Sequence, residues 1–208
     1  IYNSDGTITT YKISEIDSLN FTPNMINMLL YQNGATDDLT VAGIDSIVFR
    51  PADDIEANAI LIEYNNDIAT VRHNITSEYF NVNVNGADVE IISEASIEGL
   101  QYYLSGTTTN GSFSLESDMP YEVILNNTEI TSLTNVPLNL SKNVERNIII
   151  ANGTTNILSD SEDSDGKAVI NSKGATNISG FGSLTINANK KHGISSDNDI
   201  NINGATIS

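Results

Sequence analysis

Apolar positions follow one repeat over the first fifty residues and a different one after about residue 90. Gly6, Ile13, Ile16-Asp17-Ser18, Phe21 and Pro23 return 28 positions later as Gly34, Val41, Ile44-Asp45-Ser46, Phe49 and Pro51, which predicts a duplicated module over 1–52. In each copy a strand-like stretch, 1–3 or 29–32, meets Asp5-Gly6 or Asn33-Gly34. Both dipeptides accept the left-handed backbone of a two-residue turn, so each copy is expected to form a hairpin. Ser14-Glu15-Ile16-Asp17 reads as a single helical turn capped by Ser14, after which Leu19-Asn20-Phe21 resumes an in-out alternation. Each copy is therefore expected as β-β-turn-β.

After Pro51 the polar, acidic stretch 53–58 reads as a linker. The second domain is expected over 59–208. Ile60-Leu61-Ile62 and Phe80-Asn81-Val82-Asn83-Val84-Asn85 predict capping and lead-in strands within 59–90. Beyond Glu90 the pattern predicts very short strands at 102–104, 112–115, 122–125, 147–150, 168–171, 183–187 and 199–203. Val169-Ile170-Asn171-Ser172 with Ile178-Ser179-Gly180 matches Gly193-Ile194-Ser195-Ser196 with Ile202-Asn203-Gly204 at an offset of 24. That period fits one coil of a solenoid.

Units this short cannot bury an apolar face alone, whereas stacked parallel rungs make a continuous aliphatic core, with Gly and Asn at the corners. The expected fold class is all-β: a right-handed single-stranded parallel β-helix preceded by a small duplicated β module. The competing antiparallel sandwich calls for a tight hairpin roughly every 8 to 12 residues, and the C-terminal half has few such signals. No long helix is evident. The strand pattern stops in mid-rung at Ile207-Ser208, so a C-terminal portion is expected to be missing, or another chain to cover that edge.

Composition narrows the chemistry. The 208 residues are 39% hydrophobic, enough for one sizeable core, while the net charge is −18 and the pI about 4.1. Such a field repels nucleic-acid phosphates and favours cations, calcium above all on oxygen-rich surfaces. Cysteine is absent, which excludes disulfides and thiolate chemistry. Apolar runs such as 148–151 are too short to cross a bilayer, so no membrane insertion is expected. The chain opens at Ile1 without a signal peptide, which reads as a chain whose targeting segment has been removed.

Ser159-Asp160-Ser161-Glu162-Asp163-Ser164-Asp165-Gly166 alternates acids before a Gly, a pattern that lets a short loop wrap a calcium ion with Asp160, Asp163 and Asp165 as ligands. A solvated acidic turn is the alternative. Asp197 and Asp199 are spaced to share one face of a strand, which suits either a shared ion or solvent. Six of the nine basic residues follow Asn135: Lys142, Arg146, Lys167, Lys173, Lys190 and Lys191. Aligned on successive coils they form a strip able to bind uronate carboxylates; scattered, they only aid solubility.

Tyr102, Tyr103, Phe113, Tyr121 and Phe181 are candidates for sugar stacking or for the core. Tyr102 and Tyr103 must face opposite ways, so at most one of them, Tyr103 in this reading, meets a ligand. A lyase needs a base, and on the middle coils only Lys142 and Arg146 offer one. A hydrolase needs two facing carboxylates, a criterion that 27 acidic residues make uninformative. His73 and His192, 119 positions apart, lack a matched nucleophile for a triad.

From Tyr103 to Ser208 one ordered set of segments resembles a known family. The set is Tyr103-Leu104-Ser105-Gly106, Val123-Ile124-Leu125-Asn126-Asn127-Thr128-Glu129-Ile130, Asn156-Ile157-Leu158-Ser159-Asp160, Ser172-Lys173 and Gly180-Phe181-Gly182-Ser183-Leu184-Thr185-Ile186. It is similar to bacterial carbohydrate-binding domains with a pectate-lyase-like parallel β-helix, found in clostridia and gut Bacteroidetes. The resemblance implies calcium and binding to plant-type polysaccharide, pectic or cellulosic. A typical member carries Ser-Lys-Asp-Asp at the start of a rung. Here the first such site is Ser172-Lys173-Gly174-Ala175 and the second Ser196-Asp197-Asn198-Asp199, so only the second keeps candidate carboxylates. The duplicated Ile-Asp-Ser module resembles the N-terminal part of Bacteroidetes surface lipoproteins, which implies an extracellular, cell-surface location. Non-catalytic, calcium-assisted polysaccharide binding is the expectation, with a surface adhesin or stalk, and then a pectate-lyase-like enzyme, as alternatives.

Overall fold

β-branched and alternating runs become strands throughout the residues that the computed structural model describes, which are 2–3, 16–24, 26–32, 35–46, 55–94 and 96–208. The chain divides into two units, 1–55 and 56–208. In the first, β2 (Ile16–Phe21), β3 (Asn27–Gln32) and β4 (Ala35–Thr40) form an antiparallel meander, and β1 (Tyr2–Asn3) pairs antiparallel with β5 (Ile44–Ser46). β3 and β4 pair from Gln32 and Ala35 outward, on either side of Asn33-Gly34. Asp5-Gly6 and Asn33-Gly34 themselves lie outside the described residues, as do Ser14 and Glu15.

The helical turn expected over 14–17 is corrected where it can be seen. Ile16 and Asp17 belong to β2, with Ile16 opposite Gln32. A single helical turn fixes several dihedrals for one hydrogen bond, so cross-strand pairing outcompetes it. The one short helical turn among the described residues is the 3-10 segment Val41–Gly43, which leads into β5.

The second unit is a parallel β-solenoid. β6 (Ala59–Asn65) and β9 (Asp88–Ser93) open it, each extended by an antiparallel partner, β7 (Ile68–His73) and β8 (Phe80–Asn85). Then follow β10 (Leu100–Thr108), β11 (Ser112–Ser117), β12 (Tyr121–Thr131), β13 (Leu138–Ser141), β14 (Arg146–Ile150), β15 (Thr155–Ser159) and β16 (Ala168–Ser172). β17 (Thr176–Gly180), β18 (Ser183–Asn187), β19 (His192–Ser196), β20 (Ile200–Asn203) and β21 (Thr206–Ile207) complete the stack.

The strands lie on three faces. β6, the start of β10, the start of β12, β14, β17 and β20 stack on the first. The ends of β10 and β12 stack with β15, β18 and β21 on the second. β9, β11, β13, β16 and β19 form the third. Coil length varies, with 21 residues between the stacked Leu100 and Tyr121, 30 between Arg146 and Thr176 and 32 between Leu138 and Ile170. The 24-residue match read from the sequence is the true register of the last coils, with Ile170 on Ile194, Ser172 on Ser196 and Ile178 on Ile202.

Parallel register places like on like. Ile60, Tyr102, Val123, Ile148 and Ile178 make one inward column, and Val89, Phe113, Leu138 and Ile170 another, all of them buried. Fully burying each such aliphatic side chain contributes about 1.5–3 kcal/mol. Tyr102 meets Tyr121 edge-on at 5.8 Å between ring centroids and Phe113 at 6.0 Å. Ile200 and Ile202, next in the inward columns, are 40% and 53% exposed, because no described coil lies beneath them.

The bend from first to second face carries left-handed residues in several coils, among them Gly106, Asn127 and Gly180. At Gly106 and Gly180 the requirement is steric as well. A Cβ there would run into the backbone carbonyl oxygen of Tyr64 or Ile150 in the preceding coil.

The buried phenols set an alkaline limit. Burial pushes the pKa values of Tyr64, Tyr102 and Tyr121 well above the ordinary 10.0. Their protons are held more tightly in the folded state, so this contribution is complete below pH 10 and is lost as pH rises toward the folded values. The loss is about 1.4 kcal/mol per pH unit for each tyrosine. In a titration with absorbance near 295 nm and circular dichroism recorded together, three of the eight tyrosines are expected to ionise only as the β signal collapses. Full phenolate formation with the β signal intact would contradict this.

Candidate functional site

The outer side of the third face carries polar rows set by strand register. Asn83, Glu90, Ser114 and Asn139 lie side by side across β8, β9, β11 and β13, and Asn85, Asp88 and Ser112 form a second row. Asn139 Nδ2 donates to Ser114 Oγ (3.2 Å), and Asn171 Nδ2 on the next strand donates to Asn139 Oδ1 (2.9 Å). Asp88 Oδ1 accepts from Ser112 Oγ (2.6 Å) and from Asn135 Nδ2 (3.0 Å). The rows floor an open groove of about 410 Å³.

The groove's wall comes from the loops after β12 and β15, which bring up Asn135, Val136 and Asp165. These loops are tied together. Asp165 N–H donates to Thr134 O (2.6 Å), Ser164 Oγ to Asn135 O (2.9 Å), and Ser161 Oγ to Leu133 O. The wall is held by hydrogen bonds between consecutive coils, not by its own secondary structure.

The first face carries a second array. Gln101, Glu122, Asn147, Asn177 and Asn201 stack in register. Gln101 and Asn147 donate to the two Glu122 oxygens (2.8 and 3.3 Å), Asn177 to Asn147 (3.1 Å) and Asn201 to Asn177 (3.1 Å). Beside this ladder Tyr103 is half-buried and donates its hydroxyl to Gln101 Oε1 (3.0 Å). Burial, with Glu56 and Glu122 nearby, raises its pKa. Tyr102 points inward, as do Phe113 and Tyr121, while Phe181 is 83% exposed on the bend between β17 and β18.

Of the residues singled out from sequence for metal, Asp165 borders the groove and Asp163 is exposed. Asp160 is only 2% exposed. Its Oδ1 accepts from the N–H groups of Asn189 (2.5 Å) and Lys190 (3.2 Å), and its Oδ2 is buried without a hydrogen-bond partner. Asp197 and Asp199 do not share a strand face. They fall on the corner between β19 and β20, and Lys167 Nζ lies 3.1 Å from Asp197 Oδ1. Asn198 between them is exposed and donates to Lys173 O (2.9 Å) and to Asn143 Oδ1 (3.0 Å). Among the described residues no three Asp, Glu or His side chains converge as a metal cluster.

The basic residues do not form one strip. Lys142 and Lys173 follow the third-face strands β13 and β16, whereas Lys167 and Lys190 precede β16 and β19. Lys142 Nζ is bound to Glu116 (2.8 Å) and Asp118 (3.2 Å), and those hydrogen bonds raise its pKa. Lys190 Nζ reaches Glu162 O (2.5 Å), and Lys173 is exposed.

Arg146 is not a surface group at all. It occupies an inward column between Tyr121 and Thr176 and is fully buried. Its guanidinium donates to Leu140 O (2.7 Å), Lys142 O (2.7 Å), Val144 O (2.6 Å) and Ser172 Oγ (2.9 Å), and lies 5.5 Å from the Tyr121 ring centroid. Burial pulls its pKa below the ordinary guanidinium value. The side chain saturates carbonyls where the chain turns from third face to first, so it serves neither as a ligand contact nor as an exposed base. The groove residues Asn83, Asp88, Glu90, Ser114 and Asn139 went unrecognised, because only register brings them together; the alternation in 80–85 was their one visible sign.

A parallel β-solenoid with polar lanes along its outer faces belongs to the parallel β-helix class of folds. A solved polysaccharide lyase-like protein from C. thermocellum, studied as a gadolinium derivative, superposes with a TM-score of 0.58 at 24% identity, covering 72% of this chain and 60% of that one. The chain belongs to the family described as carbohydrate-binding domain-containing protein, whose model matches residues 84–208. A relative of the same description in Acetivibrio thermocellus is 30% identical over 139 residues, 61% of this chain and 49% of that protein. The chain thus spans about half the length of the curated relative it matches.

Replacing Arg146 with Ala removes the guanidinium donors from the carbonyls of Lys142 and Val144, leaves Leu140 O with the Lys173 N–H, and opens a cavity beside Tyr121. Chemical denaturation is expected to show a loss of about 3–5 kcal/mol. Arg146→Lys should recover only part, since one ammonium cannot span the acceptors of a planar guanidinium. A loss under about 1 kcal/mol for Arg146→Ala would refute this structural role.

Proposed function

We propose that the solenoid is a non-catalytic module that binds plant-type polysaccharide, pectic or cellulosic, at a bacterial cell surface with the help of calcium. One observation carries the reading: the hydrogen-bonded polar groove on the third face, in a chain of the carbohydrate-binding family. Its amide, hydroxyl and carboxylate side chains are the complement of sugar hydroxyls. The surface location, as an outer-membrane lipoprotein, is supported by the likeness of the duplicated module to those of surface lipoproteins.

Two places offer carboxylate oxygens to calcium. Asp160 fits, because its buried Oδ2 lacks a partner while Oδ1 is fixed by two N–H groups. The corner at Asp197 and Asp199 does not fit, because Lys167 already neutralises Asp197. At Asp160 an ion would supply charge neutralisation for the 160–165 loop, whose far end, Asp165, borders the groove.

Affinity electrophoresis in gels containing pectin or cellulose derivatives, with calcium or with chelator, tests the reading. Retardation by at least one glycan is expected, stronger with calcium. Asp160→Asn is expected to remove the calcium-dependent part and the calcium-induced rise in Tm. No retardation by any plant glycan would sink the function, and a calcium response unchanged by Asp160→Asn would move the ion elsewhere.

A further inference from the structure

The groove on the third face is electrostatically one-sided. Among the described residues its charged lining is Asp88, Glu90 and Asp165, with no Lys, Arg or His. Glu90 is exposed in the row between Asn83 and Ser114 and makes no ion pair among the described residues. Asp88 is held in place by Ser112 and Asn135. The lysines that could offset these acids are engaged elsewhere: Lys142 with Glu116 and Asp118, Lys167 with Asp197.

A uronate entering this groove brings a carboxylate against fixed carboxylates. Like charges a few ångströms apart repel, and more strongly near a protein surface than in bulk water. A neutral sugar meets the opposite situation. Its hydroxyls donate to carboxylates in charge-assisted hydrogen bonds, roughly twice as strong as neutral ones. Asn139, whose side chain is aligned by the Asn171 amide, can both donate and accept. The groove, at about 410 Å³, falls within the roughly 300–1,000 Å³ typical of ligand sites.

We infer that this groove takes a short stretch of an uncharged, hydroxyl-rich glycan and excludes uronates, with Glu90 and Asp88 as the groups that discriminate. The inference rests on the polysaccharide-binding reading above and selects the neutral, cellulosic side of it for this groove.

The test is calorimetric titration of the whole chain, in chelator, with neutral β-glucan oligosaccharides and with oligogalacturonates of the same length. Wild type is expected to bind the neutral series at least about tenfold more tightly, a difference of 1.4 kcal/mol. Glu90→Lys, on an exposed side chain, is expected to weaken neutral binding and to gain oligogalacturonate binding, with Tm unchanged. Glu90→Gln should weaken neutral binding without gaining the acid.

Equal or tighter binding of oligogalacturonate by wild type in chelator overturns the inference. So does uronate binding that appears only with added calcium and is lost in Glu90→Gln, since the carboxylates then serve as a cation bridge. Loss of binding that follows Phe181→Ser instead of Glu90→Lys also overturns it, because the ligand then sits on the other bend. Absence of binding to either series defeats the polysaccharide reading itself, a result distinct from binding with the wrong preference.

Discussion

Parallel in-register stacking is the interaction on which everything else in the second unit depends. A strand of four or five residues cannot satisfy its own backbone donors and acceptors; in a solenoid the coils above and below do so. The side chain at each position then lies on its counterpart one coil away. Inward, this stacks Ile60, Tyr102, Val123, Ile148 and Ile178. Outward, it stacks amides such as Asn147, Asn177 and Asn201, which would otherwise be isolated polar groups on a surface.

The same constraint explains the polar cluster inside the fold. On the third face one inward column runs Ile91, Leu115 and Leu140 and then changes to Ser172 and Ser196. At that change Arg146 enters the core and binds Ser172, while Ser172 and Thr176 share a 2.6 Å hydrogen bond, and whichever hydroxyl accepts in it donates its own proton to Gly174 O. Gly174 has no room for a side chain, since a Cβ would meet Val144 O and the guanidinium. A turn that exposes several carbonyls toward the interior needs a donor with several N–H groups, and Arg146 is that donor.

Much of the fold was legible. Strands at 102–104, 112–115, 122–125, 147–150, 168–171, 183–187 and 199–203 correspond to β10, β11, β12, β14, β16, β18 and β20. Of the remaining rungs, β13 and β15 carry no strand signal in that reading, and β17 and β19 enter it only through the 24-residue match. Segments such as Thr176–Gly180 and His192–Ser196 carry few apolar residues, and they are strands because neighbouring coils offer hydrogen bonds on both sides. The site was less legible. Tyr102 and Tyr103 part as alternation requires, but a lone Arg at the head of an apolar run looks like a surface residue, and nothing local marks Arg146 as buried. Asp197 and Asp199 likewise satisfy a strand's spacing while standing on a corner.

Sequence alone determined the class of fold and the register of its last coils. A repeat of apolar residues with Gly and Asn at fixed offsets can bury itself in few ways other than stacked parallel rungs. Tertiary structure alone decided which polar residues act together. Asn83, Glu90, Ser114 and Asn139 are 56 positions apart from first to last and meet only because coils of unequal length come into register. Unequal coils hide that register from any fixed period, and so the groove, its one-sided charge and the burial of Arg146 appear only once the coils are stacked.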